Sequence, residues 1–203
     1  VGRMLATGTT GWLNQLGGYS LSFFLAAGAA VVAILVVLPL EEARQPSKKP
    51  SARTIGQLIV RRDVVLPSLL SALSQYCNWG IAFGFLPILA KQLGASDVTQ
   101  SVLAAMNIGV VSLGNLTATA IVRRTRAKPL VYLSFLLMAI GIGEAALAHS
   151  LPAVFLAQFC MGLSQGIGYP VLMGMSIEHV LQTERGTAMG MHQAVYAIGM
   201  FTG

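Results

Sequence analysis

The side chains in this chain that could bind a solute are amides, phenols and an indole set inside long apolar runs. In "SALSQYCNWGIAFGFLP" (71 to 87), Ser71, Gln75, Asn78 and Ala82 fall at i, i+4, i+7 and i+11, one stripe of a helix, with Trp79 beside them. Asn107 and Asn115 repeat the device with Val111 between them. Gln158, Gly162, Gln165 and Tyr169 make a third stripe, and His192 and Tyr196, next to Gln193, a fourth. Amides kept inside an apolar helix either bond to another helix or face water, and one stripe alone is explained by helix packing.

Other chemistry finds little support. "GIGEAA" (141 to 146) matches a dinucleotide-binding fingerprint in letters, but that fingerprint opens a helix after a strand, and here it lies within an apolar run. His149 and His179 fall at the ends of such runs, with no nucleophile context and no Asp inside one. Cys77 and Cys160 lack further Cys or His at ligand spacing and read as packing residues. No catalytic residue, metal site or cofactor is expected, and the chain is not read as an enzyme.

The elements that carry these stripes are fixed by composition. Hydrophobic residues make up 55% of the chain and charged residues 10%, with a mean hydropathy of +0.70; a soluble domain has about 25% charged residues. The stretches 64 to 90, 98 to 122 and 151 to 177 hold no Asp, Glu, Lys or Arg, nor does 19 to 40, and 129 to 148 is broken only by Glu144. Each is long enough for the roughly 20 residues a bilayer core requires. The expected fold is all-α, a polytopic membrane helix bundle of five complete spans. The partial apolar stretches at the two ends, "MLATGTTGWL" and the run from Thr187 to Gly203, read as cut helices.

Every basic residue except Arg3 and Lys91 lies in residues 41–63, 123–128 or 180–187, which strict alternation places on one side. The positive-inside rule makes that side cytoplasmic, in a cell membrane. The net charge of +6 is thereby orientation and lipid-headgroup chemistry, and no nucleic acid partner is expected. Residues 41–63 are the one linker, where "RTIGQLIVRR" sets Ile55, Leu58 and Ile59 at helical spacing for an interfacial helix. Gly162 and Gly166, like Gly80 and Gly84, are small-xxx-small pairs that let helix backbones approach, and Pro170 removes one backbone bond.

"FGFLPILAKQLGAS" (83 to 96) and "ERGTAMGMHQAVYAIGMFTG" (184 to 203) resemble the second half of a major facilitator superfamily transporter, and "TGTTGWLNQLGGYSLSFFLAAG" (7 to 28) is similar to the end of that family's fifth helix and the start of its sixth. The resemblance covers essentially the whole chain. It implies that residues 1–40 close the N-terminal bundle, 41–63 form the cytoplasmic inter-bundle loop, and 64–203 hold helices seven to ten with part of eleven. "GNLTATAIVRRTRAK" (114 to 128) keeps the leading Gly and the basic residues of the family's loop motif but lacks its acid.

The resemblance further implies alternating access around a central site, with no metal and no cofactor. The leading expectation is export of a small organic solute in exchange for protons, by a monomer among membrane lipids. The alternatives are a uniporter or importer, and a non-transporting sensor or assembly protein of the same fold. Four polar stripes on helices that resemble the cavity-lining ones favour a shared cavity. Its expected lining is Gln75, Asn78, Trp79, Asn107, Gln158, Gln165, Tyr169, His192, Gln193 and Tyr196, with Arg3 deep in the fifth-helix remnant, counted from an outer turn at Asn14. Arg123, Arg124, Glu178, Glu184 and Arg185 are the expected cytoplasmic gate. Glu144 lies near the outer interface on the peripheral helix and reads as a snorkelling residue.

Overall fold

A computed structural model describes residues 2–39, 52–122 and 125–203, apart from the side chains of Arg3, Ala52 and Arg53. All regular structure among them is helical. Helix α1 (Gly2–Val37) is two segments joined at Gly17 and Gly18. Gly18 has φ 67° and ψ −175°, backbone open essentially to glycine alone. Across the joint Ser22 Oγ donates to Asn14 Oδ1 at 2.8 Å. On a straight helix these residues stand about 12 Å apart along the axis, so the chain turns sharply here, beyond the Asn14 position expected for the turn.

The first segment of α1 lies antiparallel on α5 (Asp97–Val122), with Gly11 against Asp97 and Ser101, Gly8 near Ala105, and Met4 on Gly109. The second is exposed along nearly its whole length and carries Phe23, Phe24 and a run of Val, Ile and Leu on its surface. In a chain this apolar, such a surface is a lipid or bundle-facing one.

Helix α2 (Ala52–Leu58) occupies part of the expected interfacial stretch. Its Leu58 is buried with Val64, Val180 and Ala188, whereas Ile55 and Ile59 stay exposed. One apolar residue of the amphipathic turn anchors it to the bundle, and the others face outward.

The span 62–92 is not one regular helix. It runs as α3 (Arg62–Cys77), an eight-residue π-helical stretch (Asn78–Phe85) and α4 (Leu86–Gln92). At the exit from the wide stretch Leu86 N–H bonds Ile81 O, an i to i−5 pairing. Gly94, at φ 87°, ends α4 with Ala95 N–H returning to Ala90 O, and Ser96 Oγ accepts the Thr99 N–H to start α5. Helices α6 (Ala127–Leu147), α7 (Leu151–Glu178) and α8 (Arg185–Thr202) complete the order. α7 continues through Pro170 without a break.

α7 is the centre of the bundle, packed against α5, α6 and α3, while α8 lies mainly on α3. A Cβ on Gly166 would sit 2.6 Å from the Val111 carbonyl and 2.8 Å from Gly114 Cα, so α5 and α7 cross almost backbone to backbone. Gly162 meets Asn107 and Val110 on the same crossing, and Gly141 of the "GIGEAA" run sits against Ala157 and Cys160. Gly199 of α8 and Gly203 just after it likewise press on the backbone of Ala72 and Tyr76. Gly84 faces only the Trp79 carbonyl and Gly80 the Gly203 carbonyl, so that pair makes no equivalent crossing. An outer apolar cluster (Leu86, Leu103, Val154 and neighbours) and an inner one (Ala118, Leu130, Leu172 and neighbours) close the two ends. Most of the buried polar residues lie between them.

Candidate functional site

Between the two apolar clusters α3, α5, α7, α8 and the π-helical stretch surround a cavity of about 310 Å³. Seven of the residues expected there line it: Gln75, Asn78, Trp79, Asn107, Gln165, Tyr169 and Tyr196. Asn115, named at the outset only as part of a stripe, joins them, together with Phe83, Ile108, Val111, Ser112 and Met200. No Asp, Glu, Lys or Arg is among the described lining residues. Asn107 to Asn115 occupy the middle of α5 and Gln165 the middle of α7, which puts the cavity at mid-depth in the spans.

The stripe Ser71, Gln75, Asn78 and Ala82 stays on one buried face even though its second half is π-helical. Gln165 Nε2 donates to Ser74 O at 2.9 Å and to Ser74 Oγ at 2.8 Å, and Gln165 Oε1 accepts from Gln75 Nε2 at 2.7 Å. Asn107 Nδ2 donates to Gln158 O at 3.2 Å, and Gln158 Nε2 to Ala82 O at 3.1 Å. Gln75, Gln165 and Asn107 therefore bond between helices and border the cavity as well. Asn78 Oδ1, Asn107 Oδ1 and Asn115 Oδ1 are buried and accept no hydrogen bond from the described residues. Two aromatic pairs border the same space: Trp79 and Phe83 with ring centroids 5.4 Å apart, and Tyr169 and Tyr196 at 5.3 Å.

Three expected residues stand elsewhere. Gln158 is wholly buried in the helix interface. Gln193 supports the lining from behind, its Nε2 donating to Tyr169 Oη at 2.7 Å. His192 is fully buried between α8 and α3. Ser68 Oγ spends its proton on Val64 O, so it accepts from His192 Nδ1 at 3.1 Å, and Nε2 is left as a bare acceptor. On a helix His192 and Tyr196 share a stripe, but the α3–α8 crossing covers one and leaves the other open. The Arg3 side chain lies outside the described residues.

At the basic end, Arg123 and Arg124 also lie outside the described residues. Glu178 and Arg185 are exposed, and Arg185 meets no carboxylate there; its Nε reaches the Val180 carbonyl at 3.4 Å. The ion pair found among the described residues is one that sequence spacing did not single out. Arg61 Nε and Nη2 bond the two oxygens of Asp63 at 3.1 and 2.5 Å, and Nη2 also donates to His179 O at 2.9 Å. Arg61 thus ties the start of α3 to the C-terminal end of α7, where a cation is favoured. Glu184, half-buried, adds a favourable field at Arg61.

The hydrogen bond to Arg61 holds the Asp63 carboxyl below its ordinary value of 3.8. A lowered folded-state pKa gives stability that is present above the unfolded value and lost as pH falls through the folded one. Asp63→Asn should therefore lower the melting temperature slightly at neutral pH and low salt, with the difference from the unaltered protein shrinking as the pH falls below 3.8 and through the lowered folded value. A difference that persists in acid would show that the pair carries no such contribution.

The chain is similar to two proteins named "Multidrug resistance protein MdtH". The one from Aeromonas hydrophila subsp. hydrophila is 29% identical over 197 residues, 93% of this chain and 49% of the relative. The one from Aeromonas salmonicida is 26% identical over 177 residues, 86% of this chain and 44% of the relative. The chain thus spans about half the length of these curated relatives, and no solved structure matches it. Its apolar spans make it an integral, multi-pass membrane protein. The model of the Major Facilitator Superfamily matches residues 1–203, and with the bundle described above this places the chain in that family.

Proposed function

We propose that this chain forms the C-terminal part of a transporter that moves a small organic solute by alternating access, exporting it in exchange for protons. The observation that carries the reading is the mid-depth cavity, in which uncharged amides and aromatic rings from α3, α5, α7, α8 and the π-helical stretch converge. Such a mixture, apolar walls with a few placed polar groups, is what small-molecule sites are made of. The name "multidrug resistance protein" borne by the two relatives supports export. On this reading residues 1–40 end the N-terminal bundle, 41–63 join the bundles, 64–203 build the second one, and the protein works as a monomer with no catalytic residue.

Asn78 and Asn115 give the clean test, because neither side chain bonds another described residue and their removal leaves no partner unpaired. Cells carrying the full-length protein should export at least one of a panel of neutral, cationic and anionic fluorescent dyes faster than cells with an empty vector, and a protonophore should stop that export. Asn78→Ala and Asn115→Ala should each slow it at least severalfold while the melting temperature stays within a few degrees. Export at the unaltered rate by both variants would remove the cavity as the solute site, and no dye moved above the empty-vector control would remove the transporter reading.

A further inference from the structure

Hydrogen bonds within the bundle decide the polarity that the cavity presents. A carbonyl oxygen can only accept, so whichever end of an amide meets it must be the nitrogen. The Ser74 carbonyl therefore fixes Gln165 with its Nε2 inward, which fixes Gln165 Oε1 as the acceptor for Gln75 Nε2. Gln75 is left with its oxygen free of any donor among the described residues. The Gln158 carbonyl fixes Asn107 in the same way, which leaves Asn107 Oδ1 buried and unpaired. Ser112 Oγ turns its proton to Ile108 O at 2.9 Å. The amide donors of Gln75, Gln165 and Asn107 and the Ser112 hydroxyl are thus directed into the protein, which leaves the oxygens of Gln75 and Asn107 as fixed acceptors of the lining, while the amides of Asn78 and Asn115, which bond no described residue, can present their oxygens beside them.

We propose that the ligand of this cavity is an organic amine, held as its ammonium ion. Its N–H groups donate to the oxygens of Gln75, Asn107 and Asn115, and its apolar part lies on the Trp79–Phe83 and Tyr169–Tyr196 rings, whose faces attract a cation. Water can serve the same oxygens when no solute is bound, and an ammonium replaces it with N–H bonds of its own. A carboxylate would meet the fixed oxygens of Gln75 and Asn107 as acceptor against acceptor, with no described Lys or Arg in the lining to offset it. The inference rests on reading the cavity as the solute site.

Three probes of one shape separate the contributions: benzylamine, benzyltrimethylammonium, which keeps the charge and has no N–H, and phenylacetate. Calorimetry on the purified full-length protein should rank benzylamine first and phenylacetate last. Asn115→Leu should weaken benzylamine about tenfold, the cost of one hydrogen bond to a charged group, and leave benzyltrimethylammonium unchanged. Asn115→Ala serves if the leucine variant fails to fold. Benzyltrimethylammonium binding as tightly as benzylamine, or phenylacetate binding at least as tightly, would overturn the amine and leave the solute site in place. If none of the three binds, the amine falls as well. The solute site then survives only where Asn78→Ala still slows dye export, and both fall where export is unaltered.

Discussion

Gly166→Leu should yield almost no folded protein. The Cβ alone would come within 2.6 Å of the Val111 carbonyl and 2.8 Å of Gly114 Cα, and neither is a side chain that can swing away. Helices α5 and α7 would have to separate along the most extensive crossing in the bundle after α6 with α7, at a cost at or above the ~3 kcal/mol typical of severe overpacking. Gly174 on the same helix faces open space, so Gly174→Leu is the matched control for the added bulk and apolarity. The check is the monodisperse yield and melting temperature of both variants in detergent. Equal yields would mean that the crossing is looser than the described backbone.

Gln165→Leu should have the second largest effect, and on two properties at once. It removes the acceptor of Gln75 Nε2 and the donor to Ser74 Oγ, leaving two side-chain groups without these partners at the α3–α7 contact, while the Ser74 carbonyl keeps the Asn78 N–H. Each buried group left unpaired costs about 1 to 3 kcal/mol, less where a membrane helix finds a replacement. Melting temperature and dye export should therefore fall together, unlike the Asn115 variants, in which export falls alone. Gln165→Glu in its protonated form keeps one O–H for Ser74 and one carbonyl for Gln75, and should recover most of the stability. Unaltered stability in the leucine variant would show that the amide network holds nothing together.

The spans were legible because a bilayer admits few solutions: an uncharged run of sufficient length has to be a helix, and those from 98 to 122 and 151 to 177 begin and end within a residue or two of α5 and α7. The gathering of amides on one face was legible by the same periodicity. What periodicity cannot tell is which face meets a neighbour and which meets a cavity. His192 and Tyr196 share a stripe, yet the α3–α8 crossing buries one completely and leaves the other in the lining. The π-helical stretch was not legible either, since "NWGIAFGF" has the residues of an ordinary span, and only its two glycines hint at loose winding. Arg61 was hidden for a different reason: its partner Asp63 is two residues away, but its second acceptor is the backbone of His179, contact that only the folded chain creates.

The glycine crossings also settle how the bundle could deform. Where Gly166 meets Gly114, and where Gly199 and Gly203 meet Ala72 and Tyr76, there is no side chain between the backbones to slide or change rotamer. Helices α5 and α7 are thereby locked into one stiff leaf and α3 and α8 into another. The leaves meet along a seam of longer side chains: Gln75 against Gln165, Tyr169 against Tyr196, and Gln193 reaching back to Tyr169. Any change in the width of the cavity would be concentrated at that seam, so the residues in place to touch a solute are also the ones whose contacts would have to shear.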